Sequence, residues 1–530
     1  MTGQPVDVPV AEPAELEALA KDLSAAGFTV DGVDQALGPM AQAAMHREQV
    51  VPARLALRGR DEPVAVLTRL LVLGEPVLAH DLDAALPTLR ADGAVRVGLA
   101  QAAGRASDDE LRPLLDLRPY AADDNHWWLA SDLSELVTGR PLREDHVLGI
   151  GGASTTLARW TPRQPVQRAL DVGTGCGVQA VHAASHAEDV VATDLSARCL
   201  AFAGFNAGLN AALPGGPFAG RSLDLRMGNL LEPVAGERFD LVVSNPPYVI
   251  TPRVSGVPTY EYRDGGWTGD EVVRRLVSGL GDVLAPGGVA QLLGNWEHHA
   301  GEGWRDRVAS WLPADLDAWV VQRELQDPAE YAETWARDGG HRPYEPAYDA
   351  LVEAWLHDFA ARGVAAVGFG VVTLRRPVRG SRPALRRLEE LPGPVGQGRA
   401  VGPVVADVLA AEDWLAGTSD ADLLAAHLLV APDVTEERHG RPGATDPQVV
   451  LLRQGGGLHR AVRADTALAG LVGACDGELA VGQIVGALGA LLDEPVDVLR
   501  ARLLPAVRTL VADGLLWQGP SGGAPASTPD

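Results

Sequence analysis

The residues whose types and spacing most clearly indicate catalysis are Asn245-Pro246-Pro247-Tyr248, which follow the strand-like run 239–243. An amide or nucleobase NH2 nitrogen is a poor nucleophile, because its lone pair is delocalised. The side-chain oxygen of Asn245 and the carbonyl of Pro246 can each accept one N–H bond, which localises that lone pair and aims it at an electrophile. The prolines hold the acceptors rigidly, and Tyr248 could stack on a flat substrate. The alternative is a proline-rich turn that ends a buried strand.

A glycine-rich turn upstream, Asp171-Val172-Gly173-Thr174-Gly175-Cys176-Gly177, follows another apolar strand. A dinucleotide-binding fingerprint places glycines first, third and sixth, but the sixth position counted from Gly173 is Val178. NAD is therefore the weaker interpretation. Glycines without side chains would let the backbone approach the methionine part of S-adenosylmethionine, and the next helix would present its N-terminus there.

Two more polar residues follow the next strands along the chain. The strand at 190–193 ends in Asp194, whose carboxylate could bind both ribose hydroxyls, and the strand at 223–227 precedes Asn229, which could contact an adenine amine. The sequence therefore predicts a cofactor site formed by Asp171, Gly173, Thr174, Gly175, Gly177, Asp194 and Asn229.

Together these motifs resemble class I S-adenosylmethionine-dependent methyltransferases, within them the "methyltransferase small" group. That group includes the release-factor glutamine methyltransferases and several ribosomal RNA base methyltransferases. The resemblance covers residues 145–376 and implies that Asn245 to Tyr248 bind the target nitrogen. The adenine position is commonly Asp in these families, whereas Asn229 keeps an acceptor without the charge. The segment Tyr262 to Gly269 resembles the glycine-rich segment of glutamine methyltransferases and favours a protein substrate.

Strands that alternate with helical stretches indicate an α/β fold with a largely parallel sheet. Further strands are expected at 288–293, 318–325 and 367–374, and the resemblance implies a Rossmann-like, seven-stranded methyltransferase sheet. Between the last two strands lies an aromatic helical segment that either packs on the core as a lid or stacks on substrate. Its aromatic residues are Tyr331, Trp335, Tyr344, Tyr348, Trp355 and Phe359.

The flanking segments have their own apolar periodicity, which predicts mostly helical, winged-helix-like domains at 1–120 and 379–520 around a catalytic domain at 121–378. In the first, residues 74–97 are expected to form a helix-turn-helix with a strand, from the pieces 76–78, 82–89 and 93–97. In the second, helices are expected at 465–474, 481–492 and 503–513. Residues 521–530, rich in Gly, Pro and Ser, are expected to be a disordered tail.

Composition narrows the possible classes of protein. The 530 residues carry a formal charge of -25, which disfavours a broad nucleic-acid-binding surface because phosphate contacts need clustered cations. Three cysteines are too few for a disulfide framework, and no signal-like or membrane-spanning stretch is found, so a cytoplasmic enzyme without metal is expected. The adjacent His298 and His299 are expected to form a polar lip rather than a metal site. Local nucleic acid binding, or else a linker, is indicated by Arg375, Arg376, Arg379, Arg382, Arg386 and Arg387.

The leading hypothesis is an S-adenosylmethionine-dependent N-methyltransferase that acts on a planar NH2 nitrogen of a macromolecule related to the ribosome or to translation. The acceptor is a protein glutamine amide or a base amine of rRNA or DNA, and the residues leave that choice open. A small-molecule tailoring methyltransferase and a non-catalytic winged-helix scaffold with a cofactor-sensing pocket are the alternatives.

Overall fold

The computed structural model describes residues 8–519, apart from 105, 107, 140–141, 214, 255, 379–384 and 444–446. The chain forms two compact units, Met1–Ala158 with Gln164–Ser381, and Arg159–Arg163 with Arg382–Asp530. The predicted domain boundaries at residues 120 and 378 stay predictions. The predicted tail lies outside the described residues.

The first unit contains a helical N-terminal region and a large sheet with helices around it. The helices that begin in it are α1 (Pro13–Ala25), α2 (Val30–Met45), α3 (Val51–Leu57), α4 (Pro63–Leu67), α5 (Ala79–Ala85), α6 (Arg90–Arg96), α7 (Glu135–Thr138), α8 (Gly152–Trp160), α9 (Val178–Ala184), α10 (Ala197–Ala211), α11 (Glu271–Gly279), α12 (Trp304–Ala309), α13 (Pro328–Asp338) and α14 (Pro346–Arg362). Its strands are β1 (Val77–Leu78), β2 (Ala100–Ala102), β3 (Glu110–Pro113), β4 (Asp116–Ala122), β5 (Asn125–Ser131), β6 (Val166–Val172), β7 (Ala187–Asp194), β8 (Asp224–Met227), β9 (Phe239–Ser244), β10 (Leu284–His299), β11 (Asp317–Gln326) and β12 (Val364–Arg375).

Strands of this unit lie side by side in the order β11-β12-β10-β9-β6-β7-β8. Neighbours from β10 to β8 are parallel, whereas β12 runs antiparallel to both β10 and β11. The chain moves outward from β6 through β7 to β8 and then returns to β9 on the other side of β6. The α/β class predicted for this region is confirmed, with strands at or near the predicted positions.

That return brings the two sequence motifs together. Val172, the last residue of β6, pairs with Ser244, the last residue of β9, and the Ser244 hydroxyl donates to the Val172 carbonyl at 2.8 Å. The glycine turn and the Asn245 turn therefore leave the sheet side by side. The crevice outside the carboxyl ends of strands at such a reversal is where open α/β sheets bind ligands.

The stretch 74–97, predicted as a helix-turn-helix with a strand, contains β1, α5 and α6. Gly93 to Val97 lies in or directly after α6, and the following strand is β2. The Asp83 carboxylate accepts the backbone N–H of Ala91 at 2.8 Å and so satisfies a donor in the first helical turn, a tertiary contact that periodicity does not show. Strands β1, β3 and β2 form a small antiparallel sheet in that order. A winged-helix identity for the region stays a prediction.

The aromatic segment between β11 and β12 forms α13 and α14. Tyr331, Trp355 and Phe359 are fully buried, and the Tyr331 hydroxyl accepts the backbone N–H of Ile250 at 2.8 Å. The Trp355 indole N–H donates to the Ile250 carbonyl, also at 2.8 Å. These rings are therefore core side chains that hold the chain beyond the Asn245 turn, as the packing alternative predicts. Tyr344 differs, with 98% of its surface exposed.

The second unit has two small antiparallel sheets, one in the order β18-β14-β19 and one in the order β15-β16-β17. The predicted helices at 465–474, 481–492 and 503–513 correspond to α17, α18 and the larger part of α19. A winged-helix identity stays a prediction here too. Its elements are β13 (Arg386–Glu390), α15 (Val401–Gly417), α16 (Asp420–Ala425), β14 (His427–Val430), β15 (Val434–His439), β16 (Val449–Gln454), β17 (Ala461–Ala464), α17 (Thr466–Gly473), β18 (Asp476–Ala480), α18 (Val481–Leu492), α19 (Val496–Ala512) and β19 (Leu516–Gln518).

Candidate active site at the carboxyl ends of the parallel strands

A cavity opens where β6, β7 and β9 end. Most of the predicted site residues line it, and they come from segments far apart in the chain. The predicted residues in its lining are Gly173, Thr174, Gly175, Asp194, Asn229, Asn245, Pro246 and Pro247. Asp171, Gly177 and Tyr248 are not part of this lining.

The glycine turn has a backbone that requires glycine. Gly173, Gly175 and Gly177 have φ angles of 70°, 56° and 88°, in the left-handed region that side chains disfavour. A Cβ at Gly173 or Gly175 would meet no atom within 4 Å, so the cavity is open beside both. A Cβ at Gly177 would lie 3.3 Å from Ala203, so this third glycine permits the close approach of α10.

Asp171 lies beneath the turn rather than in the cavity lining. It is buried, its Oδ2 accepts the Thr174 hydroxyl at 2.7 Å, and its Oδ1 has no hydrogen-bond partner among the described residues. Burial raises the pKa of Asp171 to about 7, and the Thr174 bond lowers it only in part. The carboxyl group therefore braces the turn from below.

Asp194 ends β7 and connects that strand to the glycine turn. Its Oδ2 accepts the backbone N–H of Gly175 and its Oδ1 that of Ser196, each at 2.9 Å. Burial raises the pKa of Asp194, although these backbone bonds favour the charged form. A carboxylate oxygen has two lone pairs, so each oxygen of this cavity residue can accept a second hydrogen bond, as a diol ligand requires.

Asn229 follows β8 in a tight turn that also reaches the cavity. The Gly228 N–H donates to the Asp194 carbonyl at 2.9 Å, and Gly228 has a φ of 156°. A Cβ at Gly228 would lie 2.5 Å from the Pro233 ring, so only glycine fits. This turn brings Asn229 beside Asp194 in the cavity wall.

The Asn245 turn presents an unsatisfied polar atom at the site. Asn245 Oδ1 is occluded from solvent, yet it has no hydrogen-bond partner in the described part of the chain. Likewise, no described residue donates a backbone hydrogen bond to the Pro246 carbonyl. Asn245 and Pro246, which both line the cavity, thus each have an acceptor without a donor shown among the described residues. A buried acceptor without a donor costs about 1–3 kcal/mol, so the fold retains it against stability.

Tyr248 lies outside this cavity lining, and its stacking role stays a prediction. Its ring packs against the aromatic cluster around Tyr331, and it forms an isolated bridge to Asp264. Burial raises the pKa of the Tyr248 hydroxyl to about 12. In this structure Tyr248 supports the Asn245 turn from behind.

The segment Tyr262 to Gly269 supplies another wall of the cavity, through Tyr262, Asp264, Gly265 and Trp267. Asp264 is paired with Arg253, whose Nη1 lies 2.8 Å from the carboxylate. Arg253 also donates from Nε to the Trp267 carbonyl at 3.0 Å. This pairing connects the chain beyond the Asn245 turn to the glycine-rich segment.

His146 is a cavity residue that sequence reasoning missed. It is buried beside Asp132, with its Nδ1 3.8 Å from the carboxylate, and its ring meets that of Tyr262 edge to face at a centroid distance of 5.9 Å. Arg198 also pairs with Asp132, and burial lowers the pKa of His146. The charged run 143–146 before α8 was the only sequence signal for this residue, and it did not indicate that His146 would lie beside Asp132 and Arg198.

The arginines at the end of β12 make internal ion pairs. Arg375 donates to Asp317 at 2.7 Å and 3.0 Å, and Arg376 lies 3.1 Å from Asp315. Arg387, in the second unit, pairs with Asp513 at 2.8 Å. Arg386 also has a partner, and Arg379 and Arg382 lie outside the described residues. The described members thus have structural roles, and nucleic acid binding is not shown.

His298 and His299 bind protein groups as well. Their Nε2 atoms lie 2.8 Å from Gln322 Oε1 and 3.0 Å from Glu297 Oε2, respectively. In the described ranges, no group of three or more His, Cys, Asp or Glu side chains could hold a metal ion. Likewise, no described helix is both long and apolar enough to cross a membrane.

The central segment of the chain matches a known protein family. Residues 149–299 match the family model of the methyltransferase small domain. This segment is therefore similar to the methyltransferase small domain. It contains the whole glycine turn, the Asn245 turn and the segment Tyr262 to Gly269. Residues 25–113 and 406–518 match two different domains of unknown function.

Relatives of the methyltransferase small domain include two curated glutamine methyltransferases. The ribosomal protein uL3 glutamine methyltransferase of Bradyrhizobium diazoefficiens is 30% identical over 198 residues, which cover 35% of this chain and 59% of the relative. The release factor glutamine methyltransferase of Bordetella pertussis is 29% identical over 231 residues, covering 42% of this chain and 76% of the relative. The match to the first of these, and to the uL3 enzyme of Bordetella pertussis, spans 59% and 53% of their lengths.

Among solved structures, the 16S rRNA N2 G1207 methyltransferase of T. thermophilus is 15% identical with a TM-score of 0.26. The match covers 50% of this chain and 65% of that one. That score is too low to carry an argument about fold or function.

Proposed function

We propose that this protein is an N-methyltransferase that transfers a methyl group from S-adenosylmethionine to the side-chain amide of a protein glutamine. The observation that carries the proposal is the unpartnered Asn245 Oδ1 at the cavity edge, beside the Pro246 carbonyl. Two fixed acceptors match the two N–H groups of one amide. The relatives named above support a glutamine amide as the substrate.

The residues of the cavity fit the proposed cofactor. The backbone at Gly173 and Gly175 is open to the cavity, and the Asp194 carboxylate presents lone pairs suited to ribose hydroxyls. Asn229 in the same wall would accept from an adenine amine. When bound, S-adenosylmethionine supplies an electrophilic methyl group on a sulfonium.

The Asn245 turn would activate the acceptor nitrogen. One N–H of the substrate amide would donate to Asn245 Oδ1 and the other to the Pro246 carbonyl, which directs the nitrogen lone pair out of conjugation and towards the methyl group. In this transfer the amide nitrogen would form a bond to the methyl carbon as the S–C bond breaks, the S–C electron pair would stay on sulfur, and one amide proton would pass to water. Rigid prolines lower the entropic cost of this alignment.

A protein substrate is favoured over RNA by the charges of the described residues. Arg375, Arg376 and Arg387 are engaged by carboxylates, and the whole chain carries a charge of -25. Phosphate binding needs free clustered cations. Within this proposal, the enzyme works in the cytoplasm on a component of translation.

The test uses methyl-labelled S-adenosylmethionine and lysate from cells that lack the gene. Labelled material is divided for protease digestion, nuclease digestion and size separation, and Asn245→Ala serves as the matched control. The proposal is supported if protease digestion releases the label and if the Asn245→Ala variant does not transfer it. The expected product in hydrolysates is N-methylglutamine. Label destroyed by nuclease, or confined to small molecules, would reject the protein substrate.

A further inference from the structure

Two asparagines on α10, Asn206 and Asn210, are completely buried against the hairpin formed by β4 and β5. Asn210 accepts the Trp128 N–H at 2.9 Å and donates to the Trp128 carbonyl at 2.7 Å. Asn206 does the same one turn earlier, accepting the Ala130 N–H at 2.7 Å and donating to the Ala130 carbonyl at 2.9 Å. The two side chains thus pair with β5 as the backbone of a neighbouring strand would.

The second amide hydrogen distinguishes the two residues. Asn210 donates it to the Asn206 carbonyl in its own helix at 2.7 Å, whereas Asn206 donates it to the Cys176 carbonyl at 2.8 Å. Cys176 lies in the glycine turn, between Gly175 and Gly177. Because β5 fixes the plane of the Asn206 amide through two bonds, it also fixes where the remaining N–H points.

We propose that Asn206 is a positioning residue for cofactor binding, through which the hairpin at 116–131 holds the glycine turn in its binding conformation. The inference rests on the proposed function. The turn has three glycines at positive φ, so its free ensemble is wide and its ordering is costly. A contact that orders the turn before the cofactor arrives removes that cost from the binding free energy.

The hairpin also contacts the helix that follows the turn. The Tyr120 hydroxyl lies 3.0 Å from His182 Nε2 on α9, and the Trp127 ring meets the His182 ring edge to face at a centroid distance of 4.9 Å. The hairpin therefore contacts the helix directly and reaches the turn through Asn206, although it precedes the segment 149–299 that matches the methyltransferase small domain. The cofactor site extends beyond that domain in sequence.

The test compares Asn206→Ala with Asn210→Ala in the full chain, since both delete a buried asparagine on the same helix face. Both variants should lower the midpoint of chemical unfolding. Only Asn206→Ala should weaken the binding of S-adenosylmethionine, with a Kd about tenfold above that of the wild type by calorimetry. The Kd of Asn210→Ala should stay within about twofold of the wild-type value. The KM for cofactor should follow the Kd, and kcat at saturating cofactor should stay within about twofold in both.

Tyr120→Phe gives a second measurement that does not depend on either variant folding well, because it removes one hydroxyl from a half-buried side chain. It should raise the Kd for S-adenosylmethionine about threefold with little loss of stability. Equal, unchanged Kd values for Asn206→Ala and Asn210→Ala, or an unchanged Kd for Tyr120→Phe, would overturn the inference. Failure of the wild-type chain to bind S-adenosylmethionine would instead refute the proposed function.

Discussion

Replacing Asn245 with alanine should greatly slow methyl transfer without destabilising the protein. The side-chain oxygen is occluded and has no partner, so the folded chain carries a desolvation cost of about 1–3 kcal/mol at this atom. Alanine removes that cost. It keeps the Cβ and deletes only the amide, so it forfeits little apolar burial.

The expected free energy of unfolding is therefore unchanged or higher by about 1 kcal/mol, which corresponds to a rise in Tm of about 2 °C for a unit of this size. The expected loss in kcat is about 100-fold to 1000-fold, the usual effect of removing one hydrogen-bonding group that acts in a transition state. Cofactor affinity should stay within about twofold, because Asn245 is assigned to the acceptor nitrogen.

The assays are thermal and chemical unfolding of the protein without cofactor, calorimetric titration with S-adenosylmethionine, and label transfer to the protein substrate. Asn245→Asp is the matched variant, since it keeps the shape but adds a charge to a cavity lined by Asp194, Glu261 and Asp264. It should be less stable than Asn245→Ala at pH 8. Retained turnover in Asn245→Ala, or a stability loss above about 1 kcal/mol, would show that the oxygen already has a partner and refute the reasoning.

Three further outcomes follow from the contacts. Asp194→Ala should raise the Kd for S-adenosylmethionine by about tenfold or more in calorimetry, since it removes the carboxylate and frees the Gly175 N–H; an unchanged Kd would contradict the ribose assignment. Because the folded-state pKa of Asp171 is about 7, above its ordinary value near 4, its contribution to stability is present below pH 4 and lost as pH rises through 7. Asp171→Asn should therefore gain stability over wild type between pH 5 and pH 8 in urea unfolding, by up to about 1.4 kcal/mol per pH unit, whereas parallel profiles would argue against the buried proton. Arg375→Ala should cost about 3–5 kcal/mol in the same assay, because Asp317 would stay buried without this cation, and a loss under about 1 kcal/mol would mean that the pair is not structural.

The central residues of the site could be predicted from the sequence, because the motifs that contain them are recognisable from short stretches of chain. Each motif directly follows a strand, and parallel strands end at the same edge of a sheet, so the glycine turn, Asp194 and the Asn245 turn had to converge. The positive φ angles at Gly173, Gly175 and Gly177 confirm that this turn needs glycine for its backbone.

Other features depend on contacts that a local pattern does not contain. Tyr248 packs against a cluster that includes Tyr331 and other residues of α13 and α14, which follow β11 and are far from Tyr248 in the sequence. His146 lies in the cavity lining next to Asp132, which also pairs with Arg198, and these three residues come from separate parts of the chain. The arginines after β12 resembled a binding strip because their carboxylate partners are distant in sequence.

The charges of the cavity bear on how a catalytic cycle would proceed under the proposed function. Its described lining includes Asp194, Glu261 and Asp264 but no lysine or arginine, and only Asp264 has a strong cationic partner, in Arg253. The proposed cofactor enters with a sulfonium charge and leaves without it. Carboxylates in a partly buried site attract that charge more strongly than water would, so they favour the methyl donor over the demethylated product. The same residues that bind the cofactor would thereby promote release of the product after each transfer.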